Sequence, residues 1–186
     1  TSPLTFFNSN LQISNLNIMD FKAEDQINII DSKFSINKSN FSNSLSDMID
    51  IDNGEGEIKN IIVENCGNDC LDFSSTKAKL ENIYILNSKD KGISIGEKSN
   101  IKLKNIEIKN CGQICLASKD SSLVEIENIK FDNSFIGITS YNKKYIFDYG
   151  NVKIFGNLEY SKIAHPFIQE KKNSIVFDSI SNDVLI

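Results

Sequence analysis

Apolar and polar residues alternate in short bursts along this chain, and the bursts recur. In Leu80–Asn87 the apolar side chains at 80, 83 and 85 are separated by polar or exposed positions, and an Asn closes the segment. The same phrase returns as Ile58–Asn65, Leu103–Asn110 and Ile126–Asn133. Weaker copies are Ile13–Asp20 and Ile36–Asn43, and Val152–Gly156 reads as one more. The closing Asn residues at 43, 65, 87, 110 and 133 are spaced by 22, 22, 23 and 23 residues. A second burst lies in each unit: Ile27–Ile29, Ile49–Ile51, Leu71–Phe73, Ile93–Ile95, Leu116–Ser118 and Ile138–Ser140. Alternation with a period of two predicts strands, with one side chain in and the next out.

Strands this short cannot bury their apolar sides alone. Stacking unit on unit buries a continuous core and pairs each strand with its equivalents at about 4.8 Å. The pattern therefore predicts an all-β right-handed parallel β-helix of six to seven coils, each of 22–23 residues. Helices are excluded by the spacing and by the crowd of β-branched residues. A leucine-rich repeat has a similar period but needs a Leu consensus that is missing here. A sandwich of seven strands is the remaining alternative. The coils are expected over residues 1–156. Residues 157–186, chiefly Ser174–Asp178, are expected to be strands that close the C-terminal end. Residues 141–150 interrupt the repeat with an aromatic insertion. The abrupt start predicts a preceding coil or domain, or another chain packed end to end.

Two columns of Asn follow from the register. One is Asn43, Asn65, Asn87, Asn110 and Asn133. The other is Asn15, Asn60, Asn82, Asn105 and Asn128, interrupted by Lys38. Asn tolerates left-handed backbone and can bond its copy one coil away, so both columns are read as corners.

The composition adds limits. Among 186 residues there is no Arg, no Trp and one His, and the net charge is −5. Without a basic surplus, nucleic acid is not expected as a partner. Without Arg, the usual bidentate clamp on carboxylates or phosphates is missing. No apolar run is long enough to span a membrane. His165, beside Pro166, is read as packing. The four Cys fall at equivalent positions, with Asn65–Cys70 matching Asn110–Cys115. Cys66 and Cys111 are two coils apart, beyond disulfide reach. A bridge from Cys66 to Cys70 is conceivable, but buried free thiols are the favoured expectation.

One constellation suggests chemistry. Aligning Ile49, Leu71 and Ile93 puts Asp50, Asp72 and Ser94 in one outward column, with Asp52 farther along the same face. Asp47, Asp69 and Lys91 form another column, with Asp90 beside it. Like charges about one coil apart raise each other's pKa or recruit a cation. Asp50, Asp52, Asp72 and Asp90 are thus the candidate binding residues. Asp50 and Asp72 are the candidate ligands for Ca²⁺, held together with backbone carbonyls and water. Paired carboxylates also serve glycoside hydrolysis, and in a lyase Lys91 would be the proton-abstracting base.

The coil grammar over residues 10–156 resembles the pectin-lyase-like superfamily. Ser46–Asp50, Gly67–Asp72 and Gly92–Gly96 resemble the successive motifs of polygalacturonases. That resemblance implies polysaccharide hydrolysis, with Asp47 at the first catalytic Asp and Asp69 at the second of the following pair. Asn68 stands at the first of that pair and Lys91 at the motif His. The Arg-Ile-Lys motif has no counterpart. The phrases Ser46–Asp52, Gly67–Ser75, Asp90–Ser99 and Ala117–Asp120 are similar to β-helix segments associated with spore-coat-H-like (CotH) proteins. This second resemblance implies an extracellular or envelope-associated bacterial module. The expectation is a non-catalytic module, structural or binding carbohydrate or a cation, needing no cofactor, with polysaccharide as a possible partner. The alternatives are a polysaccharide hydrolase or lyase, with Asp47, Asp69 and Lys91 as catalytic candidates, and an end-to-end assembly protein.

Overall fold

The computed structural model describes residues 2–21 and 23–178, and within them the chain winds as a three-faced parallel β-solenoid. Fifteen strands join into one hydrogen-bonded array, and every recorded pairing is parallel. The first face starts with Leu4–Phe7, Ile27–Ile30, Ile49–Asp52, Leu71–Ser74 and Lys91–Gly96. It continues through the C-terminal parts of Asn100–Lys119, Leu123–Tyr141 and Leu158–Gln169. The inward column runs Leu4, Ile27, Ile49, Leu71, Ile93, Leu116, Ile138 and Phe167, eight rungs in register.

The coil count therefore exceeds the expected six to seven. The two rungs missed are terminal. Leu4–Phe7 lies before the first readable repeat, and Ala164–Phe167 lacks the Ile-x-Ile signature. From Leu158 onward the chain stacks on the coil before it: Leu158–Gln169 pairs with Leu123–Tyr141, and Ile175–Phe177 with Asn151–Ile154. Of the expected C-terminal strands, residues 179–186 lie outside the described residues.

The core is a stack of columns. On the second face Ile36, Ile58, Leu80, Leu103, Ile126 and Ile154 superpose, and on the third Phe41, Val63, Ile85, Ile108 and Phe131. All of these are at most 2% exposed. Burying each such side chain contributes about 1.5–3 kcal/mol. The columns also compensate in volume. A Cβ on Gly56 would lie 2.0 Å from the Phe34 carbonyl oxygen, and one on Gly54 would lie 2.9 Å from the Phe34 ring. The Phe34 ring thus fills the room that two glycines leave in the neighbouring coil.

The corners are left-handed, as the Asn columns predict. Asn15, Asn60, Asn82, Asn105 and Asn128 have φ between 54° and 64°, and Asn43, Asn65, Asn87, Asn110 and Asn133 between 56° and 62°. From Asn65 and Asn82 onward each side-chain amide donates to the copy one coil earlier: Asn82 to Asn60 at 3.0 Å, Asn87 to Asn65 at 2.8 Å, Asn110 to Asn87 at 2.9 Å. Lys38 keeps the corner backbone, with φ 50°, but supplies no amide. Its neighbour Asn37 accepts from Asn60 instead, at 2.9 Å. A third corner, at Asn8, Asp31 and Asn53, is also left-handed.

Candidate functional site

The first face carries the acidic residues because its strands alternate. Ile49 and Ile51 point in, so Asp50 and Asp52 point out, and Leu71–Ser74 repeats the pattern one rung on. Asn28, Asp50, Asp72, Ser94, Ala117 and Thr139 are successive rung partners in one outward column. The expected neighbourhood of Asp50, Asp72 and Ser94 is present. Asp52 lies beside Ser74, in the next column.

Burial, reinforced by the charges of Asp52, Asp72, Asp25 and Asp47, pushes the Asp50 carboxyl up to about 8. Asp50 is thus protonated at neutral pH. The Asn28 amide donates to it at 3.3 Å. Asp72 Oδ1 and Asn28 Oδ1, on either side of Asp50, are buried with no hydrogen-bond partner among the described residues. Asp52 is also raised, by burial first and then by Asp72.

The second column is engaged differently. Asp47 Oδ1 accepts the backbone N–H of Asp69 and the side-chain amide of Asn68, both at 2.8 Å. One rung on, Asp69 Oδ1 accepts the backbone N–H of Lys91 at 3.0 Å and its ammonium at 3.4 Å. Lys91 also pairs with Asp90. Burial raises Asp47 to about 6 despite those hydrogen bonds, and raises Asp69 against the pull of Lys91. Burial works to lower Lys91, but Asp90 and Asp69 outweigh it and hold the ammonium above its ordinary range. A proton-abstracting lysine needs the opposite shift.

Lys119 was not singled out by the sequence. It is 6% exposed, and its ammonium donates to Ser94 Oγ at 2.7 Å. Burial lowers its pKa, partly offset by Asp72. The lysine reaches back over Gly96, where a Cβ would stand 3.3 Å from Lys119 Cε. The legible signal was Gly96, a missing side chain on an outward position next to a lysine rung.

The face is bounded by the 141–150 insertion. Asp120 is buried and caps that segment, accepting the N–H groups of Lys143 and Lys144 at 2.7 and 2.8 Å. Lys144 in turn pairs with Glu97. His165 packs edge-on against Phe135, with ring centroids 5.0 Å apart. A concavity of about 800 Å³ lies elsewhere, along the third corner beside Asn8, Asp31, Lys33, Asn53, Lys77 and Lys98. Among the described residues no three His, Cys, Asp or Glu side chains converge to hold a metal ion. Nor is any helix among them long and apolar enough to cross a membrane.

The cysteines correct an expectation. Cys66 and Cys70 are bridged, with Cα atoms 5.3 Å apart, whereas Cys111 and Cys115 are free and buried. The chain bends at Gly67 and Asn68 and brings the flanking Cys residues within disulfide reach. Linear spacing does not reveal that approach.

The sequence matches the family described as right handed beta helix region over residues 5–158. The chain belongs to that family. Its β-helix is similar to tailspike protein 2 of the Escherichia coli O157:H7 bacteriophage CAB120, at 17% identity and a TM-score of 0.62. The match covers 93% of this chain and 24% of the tailspike. It is also similar to the catalytic domain of a GH87 α-1,3-glucanase solved with tetrasaccharides, at 7% identity and a TM-score of 0.54. That match covers 93% of this chain and 49% of the glucanase chain. The β-helix here thus spans about a quarter and about half of these two chains. No curated protein sequence matches it.

Proposed function

We propose that this β-helix is a non-catalytic module of an extracellular or envelope-associated protein, and that it binds polysaccharide along its first face. The observation that carries this reading is the engagement of Asp47 and Asp69. Each carboxylate in a polygalacturonase-like catalytic position braces the backbone amide of the next rung. A carboxylate spent in that way is a poor acid or base for a bound sugar. The neighbouring column is different. Asn28, Asp50 and Asp72 offer polar groups at about 4.8 Å intervals, a spacing suited to an extended hydroxyl-rich chain. Asp50, protonated, adds a donor among acceptors. The tetrasaccharide-bound glucanase among the structural neighbours supports a carbohydrate ligand.

The test is calorimetric titration of a panel of neutral glucans and uronate polymers, with reducing ends and unsaturated products measured in the same mixtures. Saturable binding without product is expected, and Asp50→Ala with Asp72→Ala abolishes it. Product release overturns the non-catalytic reading, and silence across the panel overturns the carbohydrate ligand.

A second reading is a polysaccharide-processing enzyme. It is favoured by one contrast on the face, a protonated Asp50 against a lysine, Lys119, whose pKa burial lowers. Carboxyl and amine shifted in this sense suit an acid and a base. Under this reading Lys119→Met eliminates product while leaving binding. A third reading, end-to-end assembly, is favoured by Phe7 and Met19, which are 65% and 67% exposed on the first coil. A sedimentation coefficient independent of concentration would count against it.

A further inference from the structure

We propose that Cys111 and Cys115 close a second corner disulfide, formed by exchange with an external disulfide. The two cysteine corners occupy equivalent positions two rungs apart. Cys66, Ser88 and Cys111 are successive rung partners. Both pairs have a separation of four residues. The glycine after the first cysteine of each pair is placed alike. A Cβ on Gly67 would lie 1.9 Å from the carbonyl oxygen of Leu45, in the coil before. A Cβ on Gly112 would lie 2.0 Å from the carbonyl oxygen of Lys89, again in the coil before. This matching close approach shows that each corner tucks its glycine against the preceding coil. Cys66 and Cys70 in that conformation are bridged. In the second corner Cys111 and Cys115 are both free and both buried.

The chemistry starts at Cys111. The neighbouring Cys115 side chain favours its thiolate, and burial works against it. The Cys111 thiolate attacks one sulfur of an external disulfide such as oxidised glutathione and displaces one glutathione thiolate. Cys115 then gives up its proton and attacks the Cys111 sulfur, displacing the second glutathione. Two protein thiols are oxidised and one external disulfide is reduced to two thiols. Both cysteines are buried, so exchange takes place as the coil folds or opens locally. Closure fixes a corner that supports the first face: the amides of Gln113 and Ile114 both donate to the Asp90 carbonyl, at 3.0 and 3.3 Å.

The test unfolds and reduces the full chain, refolds it in a glutathione redox buffer, alkylates under denaturing conditions and maps the peptides. Cleavage after lysine isolates each pair in its own peptide, residues 60–77 and 110–119. The expected result is a chain lighter than the reduced form by four hydrogens, with an internal bridge in each peptide. Two alkylated thiols at Cys111 and Cys115, in a buffer that closes Cys66–Cys70, overturn the proposal. So does a bridge joining the two peptides. To separate the corners, Cys66→Ser with Cys70→Ser is refolded alongside. If that variant fails to fold, the wild-type peptide map alone decides.

Discussion

The carboxylate of Asp47 holds the backbone N–H of Asp69 at 2.8 Å, and the carboxylate of Asp69 holds that of Lys91 at 3.0 Å. Three successive coils are thus joined by the same contact at the same corner. Removing it leaves a buried amide without its acceptor, which costs about 1–3 kcal/mol. Asp69→Ala should therefore lower stability by that amount in urea denaturation, whereas Asp69→Asn, which keeps an acceptor oxygen, should lose less. Glycan binding should survive Asp69→Asn.

Asp50 makes stability fall as pH rises. Its folded pKa of about 8 stands above the ordinary carboxyl value, so the folded state binds more protons than the unfolded state between about pH 4 and 8. The contribution is full below the unfolded pKa and is lost as pH rises through about 8. Asp47, raised to about 6, acts in the same sense over a narrower window. Melting temperatures measured from pH 5 to 9 should decline, and Asp50→Asn should flatten the upper part of the decline. An unchanged slope in that variant would place the effect elsewhere.

Calcium and the proton compete at Asp50 if the Asp50–Asp72 pair is the cation site. Addition of Ca²⁺ should leave the melting temperature unchanged near pH 6 and raise it above pH 8, where Asp50 ionises. A flat response at both pH values would remove the pair as a calcium site.

The Asn ladders can be tested at Asn87. Its amide donates to Asn65 and its oxygen accepts from Asn110, and its φ is 60°. Asn87→Ala loses both bonds and places an alanine in left-handed backbone, at a cost of about 1–2 kcal/mol for the backbone alone. Asn87→Gly loses the bonds but not the backbone fit, and should be the milder change in denaturant midpoint.

The bridge in the first cysteine corner closes a very short loop. The chain-entropy relation gives about 2 kcal/mol for such a loop. Cys66→Ser with Cys70→Ser should lower the unfolding free energy by about that amount under non-reducing conditions.

The sequence by itself determined the solenoid. Leu80–Asn87 and its copies fixed strand, corner and period, because a period of two and a recurring left-handed Asn are local properties of the backbone. The same register placed Asp50 beside Asp72, since stacking in a parallel coil follows directly from the count of residues per turn. Three things needed the tertiary structure. The first was the terminal rungs, where Ala164–Phe167 pairs in register without the repeat's own residues. The second was Lys119, whose burial depends on the gap that Gly96 leaves one rung away. The third was the fate of the acids and thiols. Asp47 and Asp69 look alike as free and as braced carboxylates until the next coil's amide is placed. Cys66 and Cys70 reach each other only because the chain between them bends. Periodicity states which residues share a column, and only the folded corner decides which of their atoms touch.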